Sequence, residues 1–197
     1  MKRLTLIATL LLCACAGAPT PTSAPTLAPR PVASDGGLSQ AAAQLDLQKF
    51  MGHWYVIANI TSGDEAADVA VQLDYQLKPD GRIDQRYTSR RGDFISPLKS
   101  SSTEARVAEN TNNAHWKVRS RWALGDDYLI LYVDPEYRYA VAGTPKRDRA
   151  WILGREARMT DERFQSMQLV LEARGYEIPR LLKVPQIEDQ DGSPGYR

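Results

Sequence analysis

Two histidines and two cysteines are the residues of this 197-residue chain best suited to proton transfer, nucleophilic attack or metal ligation. A working His needs a nucleophile on one side and an orienting group on the other. His53 lies in Phe50-Met51-Gly52-His53-Trp54-Tyr55 and His115 precedes Trp116-Lys117-Val118, and neither is flanked by such a set. No Gly-x-Ser-x-Gly elbow, phosphate-cradling Gly-rich loop or His-x-x-x-His metal pair occurs. Both cysteines, Cys13 and Cys15, fall before residue 16, so the rest of the chain has no thiol nucleophile, no thiolate metal site and no internal disulfide. The expectation is a protein with no catalytic residues, metal or cofactor. A formal charge of +1 carries no basic excess for nucleic acid.

The cysteines suggest a different chemistry. Met1-Lys2-Arg3 is a short basic start, and Leu4 to Leu12 is an apolar run too short to span a bilayer as a helix. It ends in Leu12-Cys13-Ala14-Cys15, which resembles the bacterial lipobox. That resemblance implies a signal peptide over residues 1–14, cleavage before Cys15 and lipidation of Cys15. Cys13 is the poorer candidate, because Leu12 before it is large for the cleavage position. The non-acidic Ala16 goes with delivery to a bacterial outer membrane. The alternative is an ordinary secretory signal with two incidental cysteines.

Residues 15–44 read as a tether. This stretch is rich in Ala, Pro and Thr, and repeated Pro favours extended backbone. A short helix over Ser39–Leu45 is conceivable, with Ser39 as its cap. The folded body should run over residues 45–186, and the polar residues 187–197 read as a loose tail.

The body reads as strands. Phe50 to Ala58 is rich in Trp, Tyr, Val and Ile, with Gly52 permitting a sharp turn into the strand. Val69, Val71, Leu73, Tyr75 and Leu77 alternate with smaller or polar residues, a period of two with one buried face. Pro79-Asp80-Gly81 is a hairpin turn, and Ile83, Gln85 and Tyr87 continue the alternation. Ser89 to Ser102 reads as a long irregular connection and Glu104 to Glu109 as a weak strand. Trp116, Val118, Ser120 and Trp122 alternate with Lys117, Arg119 and Arg121, a solvated basic row. Gly125-Asp126-Asp127 reads as a turn, Tyr128 to Val133 as a buried strand, Tyr137 to Gly143 and Ala150 to Arg155 as two more. Eight strands on mostly short connections predict an all-β, eight-stranded antiparallel up-and-down barrel. One C-terminal helix should pack outside it. Thr160 caps it, Asp161 and Glu162 suit its first turn, and Phe164, Met167, Val170 and Leu171 form its apolar face. Gly175 closes it, and Leu181 to Val184 reads as an extra strand.

Three motifs in register resemble the lipocalins, and among them the bacterial outer-membrane lipoprotein lipocalins. They are Gly52-His53-Trp54-Tyr55; Asp134 with Tyr137-Arg138-Tyr139-Ala140-Val141; and Trp151-Ile152-Leu153-Gly154-Arg155. The resemblance covers about Leu45 to Pro185. It implies a closed end sealed by Trp54 with Arg155 packed across its ring, so Gly52, Trp54, Asp134, Tyr137 and Arg155 are assigned to structure. It also implies a cavity for fatty acids, lysophospholipids or similar apolar ligands, with the membrane as a second partner through lipidated Cys15.

By period-two reading the lining candidates are Val71, Leu73, Tyr75, Ile83, Tyr87, Val118, Trp122, Tyr139 and Val141. Each has an alternative role as core filling, since small barrels can be packed by their own side chains. The rival functions are an envelope lipoprotein with a filled interior and, less favoured, a lipocalin-fold enzyme. Oligomeric state is open, a dimer included.

Overall fold

The computed structural model describes residues 44–61, 63–119 and 124–196. A one-turn helix, α1 (Leu47–Phe50), is capped by Asp46, whose Oδ1 accepts from the N–H of Gln48 and Lys49. Residues 44–46 before it are not helical, and the rest of the helix expected over Ser39–Leu45 lies outside the described residues. Eight strands come after it: β1 (Gly52–Ile60), β2 (Asp68–Leu77), β3 (Arg82–Arg91), β4 (Lys99–Val107), β5 (His115–Arg119), β6 (Leu124–Val133), β7 (Tyr139–Gly143) and β8 (Ala150–Gly154). Each pairs antiparallel with the next, and β1 pairs with both β8 and β2, so the sheet closes on itself. Helix α2 (Asp161–Glu172) and a short strand β9 (Leu182–Lys183) complete the fold.

Several boundaries differ from expectation; β7 begins at Tyr139 rather than at Tyr137, which lies in the turn before it. The β3–β4 ladder runs unbroken from Arg82↔Arg106 to Ser89↔Lys99, so the expected connection from Ser89 to Ser102 shrinks to residues 92–98. Gly125-Asp126-Asp127 is not a turn but the start of β6.

The barrel has an apolar layer on each side of part of its wall. Inside lie Phe50, Trp54, Leu73, Tyr75, Ile83, Trp116, Tyr128 and Ile130. Outside, Ile57, Ile60, Leu129, Leu131, Val141 and Ile152 pack under Phe164, Met167, Val170 and Leu171 of α2. Thr160 caps α2 by accepting from the Arg163 N–H, as expected. At its other end Gly175 takes φ +78°, and Tyr176 turns back to donate to the Thr144 carbonyl. That hydroxyl crosses β7 at Gly143, where a Cβ would overlap it.

β9 does more than extend the sheet. The lower half of β1 pairs with β2, but its upper half pairs with β9 at Ala58↔Lys183 and Asn59↔Leu182. Val184 donates to the Ile57 carbonyl, Gln186 Nε2 to the Val56 carbonyl, and Ala70 of β2 to the Pro185 carbonyl. Val184 itself joins the interior cluster. The segment 182–186 is therefore a stave set between β1 and β2 in the upper wall. The residues after it are not uniformly loose: Gln190 is buried, accepting from the Gln186 N–H through its Oε1 and donating to the Ala157 carbonyl.

Candidate functional site

The closed end is built from all three motifs. Trp54 is fully buried at the start of β1, and its indole N–H donates to the Phe50 carbonyl at 2.8 Å. The Arg155 guanidinium lies 3.8 Å from the centre of the indole ring. Its nitrogens donate to five backbone carbonyls: His53 (2.6 Å), Lys49 (2.8 Å), Met51 (2.9 Å), Phe50 (3.2 Å) and Tyr137 (3.2 Å). Burial lowers the Arg155 pKa from its ordinary value, yet guanidinium stays charged in proteins. Gly52, at φ +89°, lets the chain turn beneath that guanidinium. Asp134 accepts from the Tyr139 N–H and so fixes the tight β6–β7 turn, in which Tyr137 takes φ +56°. The Tyr137 hydroxyl then accepts from the Asp46 N–H at 2.8 Å, tying that turn to α1.

A family model described as "Lipocalin-like domain" matches residues 45–186. The chain is a lipocalin. Among curated lipocalins it is 29% identical over 153 residues to temperature-induced lipocalin-1 of Arabidopsis thaliana, covering 72% of this chain and 80% of that one. It is 29% identical over 144 residues to the outer membrane lipoprotein Blc of Escherichia coli, covering 72% and 79%. Lobster apocrustacyanin A1 shares the fold at TM-score 0.58 and 13% identity, covering 72% of this chain and 80% of that one. Insecticyanin from the tobacco hornworm Manduca sexta does so at TM-score 0.58 and 15% identity, covering 76% and 85%. Membership in the family supports binding of a small hydrophobic ligand inside the lipocalin barrel.

Above the closed end the interior is floored by aromatic rings. Phe50 stands edge-on to Trp116 at 5.5 Å, Tyr75 to Trp116 at 5.4 Å, and Trp151 meets Tyr128 at 5.2 Å. The Tyr75 and Tyr128 hydroxyls bond each other at 2.8 Å. Of the expected lining residues, Val71, Leu73, Tyr75, Ile83, Tyr87 and Val118 all belong to this interior set. Trp122 lies outside the described residues, as does Cys15. Tyr139 and Val141 are corrected: they face outward beneath α2, and Ala140 and Ala142 face in. Alternation misassigns the phase here because β7 is apolar on both faces, one toward the interior and one toward the helix. Ala140 escapes the period-two reading for the same reason, and Trp151 does so because β8 is likewise apolar on both faces.

The two histidines sit on the outer wall. His53 Nδ1 is 3.1 Å from Asp74, and the buried His115 has its Nε2 2.9 Å from Asp127, which Lys117 also contacts at 2.7 Å. A groove of about 700 Å³ crosses the outside of β1–β5 past Asp74, Asp84, Arg86, Glu104 and Arg119. Its mixed charges, with Lys78–Asp84 and Arg82–Glu104 paired, mark a solvated face rather than a site for an apolar ligand.

The buried phenols predict a pH response. Burial, reinforced by the neighbouring Tyr128, raises the Tyr75 pKa well above 10, and burial does the same for Tyr128. Burial pushes Tyr176 up to about 12. In the unfolded chain these groups ionise near 10. Their stabilising effect is therefore intact below about pH 10 and is lost as pH rises from there through the folded values. Phenolate absorbance should show these three silent near pH 10 and then appearing together with unfolding. Titration of every tyrosine near 10 with the fold intact would contradict the burial.

Proposed function

We propose that this lipocalin is an envelope lipid carrier, anchored through a lipidated Cys15 and binding fatty acids, lysophospholipids or similar molecules in its barrel. The observation that carries the reading is incomplete burial of three inward apolar side chains above the floor. At the floor, Tyr75, Ile83 and Trp116 are fully enclosed. Higher up, Tyr87, Val118 and Trp151 lie against the same cluster but remain only partly buried. Inward apolar residues that keep access to solvent are what an unfilled upper chamber would leave. An acyl chain entering there gains about 0.8 kcal/mol per methylene removed from water.

Two features support the membrane setting. The chain outside the described residues carries a lipobox-like motif at residues 12–15 followed by an Ala-, Pro- and Thr-rich stretch. The loop between β3 and β4, at the open end, presents Ile95 and Leu98 at 89% and 58% exposure. Exposed apolar tips of this kind suit contact with the bilayer from which a ligand would be drawn. The outer membrane is the favoured location, since the Escherichia coli relative is named an outer membrane lipoprotein.

Titration of the purified protein with an environment-sensitive fluorescent lipid should saturate at a defined stoichiometry. Flat fluorescence across the titration would favour an interior filled by its own side chains. Incorporation of labelled palmitate that disappears in Cys15→Ser would test the anchor separately.

A further inference from the structure

Two bulges at the same height of the barrel turn polar side chains inward. In β1 the register shifts between Val56 and Ala58, which brings Asn59, opposite Trp151, to the inner face. In β2 it shifts between Val69 and Gln72, where Ala70 takes φ +50°. Strict alternation from Val71 would point Asp68 outward beside Gln72 and Asp74. The bulge reverses it, and bulges commonly serve to re-aim a side chain.

Asp68 is only 6% exposed. Its Oδ2 accepts from the Ser89 hydroxyl at 2.7 Å and lies 3.4 Å from the Tyr87 hydroxyl, both on the inner face of β3. Neither bond reaches Oδ1, which accepts no side-chain bond from a described residue. The carboxylate sits at the mouth end of β2, one level above the partly buried lining residues. A half-buried cation, Arg91, stands opposite it in the ladder.

We infer that Asp68 selects the ligand's head group: it accepts a hydrogen bond from a hydroxyl, amide or ammonium head and rejects a free carboxylate. This rests on the lipid-binding reading and narrows it. An acyl chain seated on the aromatic floor brings its polar end to the level of Asp68. A second carboxylate there meets like charge beside a side chain only 6% exposed, whereas a donor can bond Oδ1 in place of solvent. Among these ligand classes, free fatty acids become the disfavoured ones, and neutral acyl alcohols or monoacylglycerols the favoured ones.

The test is competition against a neutral naphthylamine probe by a saturated fatty acid, its primary alcohol and its monoacylglycerol, matched in chain length. The unsubstituted protein should prefer the alcohol and monoacylglycerol over the acid at neutral pH by roughly tenfold, as expected for like charges about 6 Å apart at an effective dielectric of about 40. Asp68→Asn should erase that preference, mainly by tightening the acid. If the probe and all three lipids bind with no preference in either protein, the carrier reading stands and the Asp68 assignment falls. A preference for the acid would mean that Arg91 dominates and would also overturn it. If nothing binds, the carrier reading fails first. The head-group series on the unsubstituted protein decides the matter even where Asp68→Asn folds poorly.

Discussion

Trp54→Ala is expected to lower the stability of the barrel by roughly 3–5 kcal/mol, the range for deleting a buried aromatic side chain without collapse of the space it leaves. Collapse is resisted here because the indole is held from every side. Phe50 packs on it at 5.1 Å, Arg155 covers its face, and its N–H satisfies the Phe50 carbonyl. Removing it also strips the guanidinium of its only aromatic support among the described residues. For a domain of this size the melting midpoint should fall on the order of 10 °C. Urea unfolding monitored by far-ultraviolet dichroism is the direct check. A change below about 1 kcal/mol would show that the closed end does not depend on this ring.

Arg155→Met is expected to be nearly as severe, about 3 kcal/mol, for a different reason. Met retains much of the apolar contact with the indole but donates to none of the five carbonyls that Arg155 now satisfies. Hydrogen bonds to charged groups contribute about 1.5–3 kcal/mol each in net terms, with strong redundancy when one group serves several acceptors. Arg155→Lys should recover only part of the loss, because an ammonium cannot span a fan of carbonyls as a planar fork does. Since the guanidinium lies beneath the aromatic floor, both variants should keep the lipid affinity of whatever fraction remains folded. Denaturation midpoints together with binding on the same samples separate the two effects. A large drop in affinity without loss of stability would relocate Arg155 to the ligand site.

Much of this closed end is readable in the residues themselves. Gly52-x-Trp54, Asp134 with Tyr137, and Arg155 are spaced far apart in sequence, and the barrel brings them into one cluster. The alternation of β2 from Val71 onward and the capping and apolar spacing of α2 are equally legible, because one face of each is buried and the other is more exposed. β7 is not, for the opposite reason: Val141 and Ala140 are both buried, on different sides of the wall, so hydrophobicity carries no phase. β4 hides because Lys99-Ser100-Ser101-Ser102 has little strand propensity. It is held by its ladder to β3 rather than by its own pattern. The inward turn of Asp68 is invisible, since an alanine with positive φ leaves no trace in composition.

The stave formed by residues 182–186 sets an order of assembly. Its backbone carbonyl at Pro185 and amide at Val184 join the two strands nearest the start of the body, yet it is made more than a hundred residues after them. Until it arrives, the upper edges of β1 and β2 have open hydrogen-bonding groups facing each other across a gap. A growing chain therefore cannot lock its wall early: the barrel stays unsealed along that edge until its last structural segment has been added.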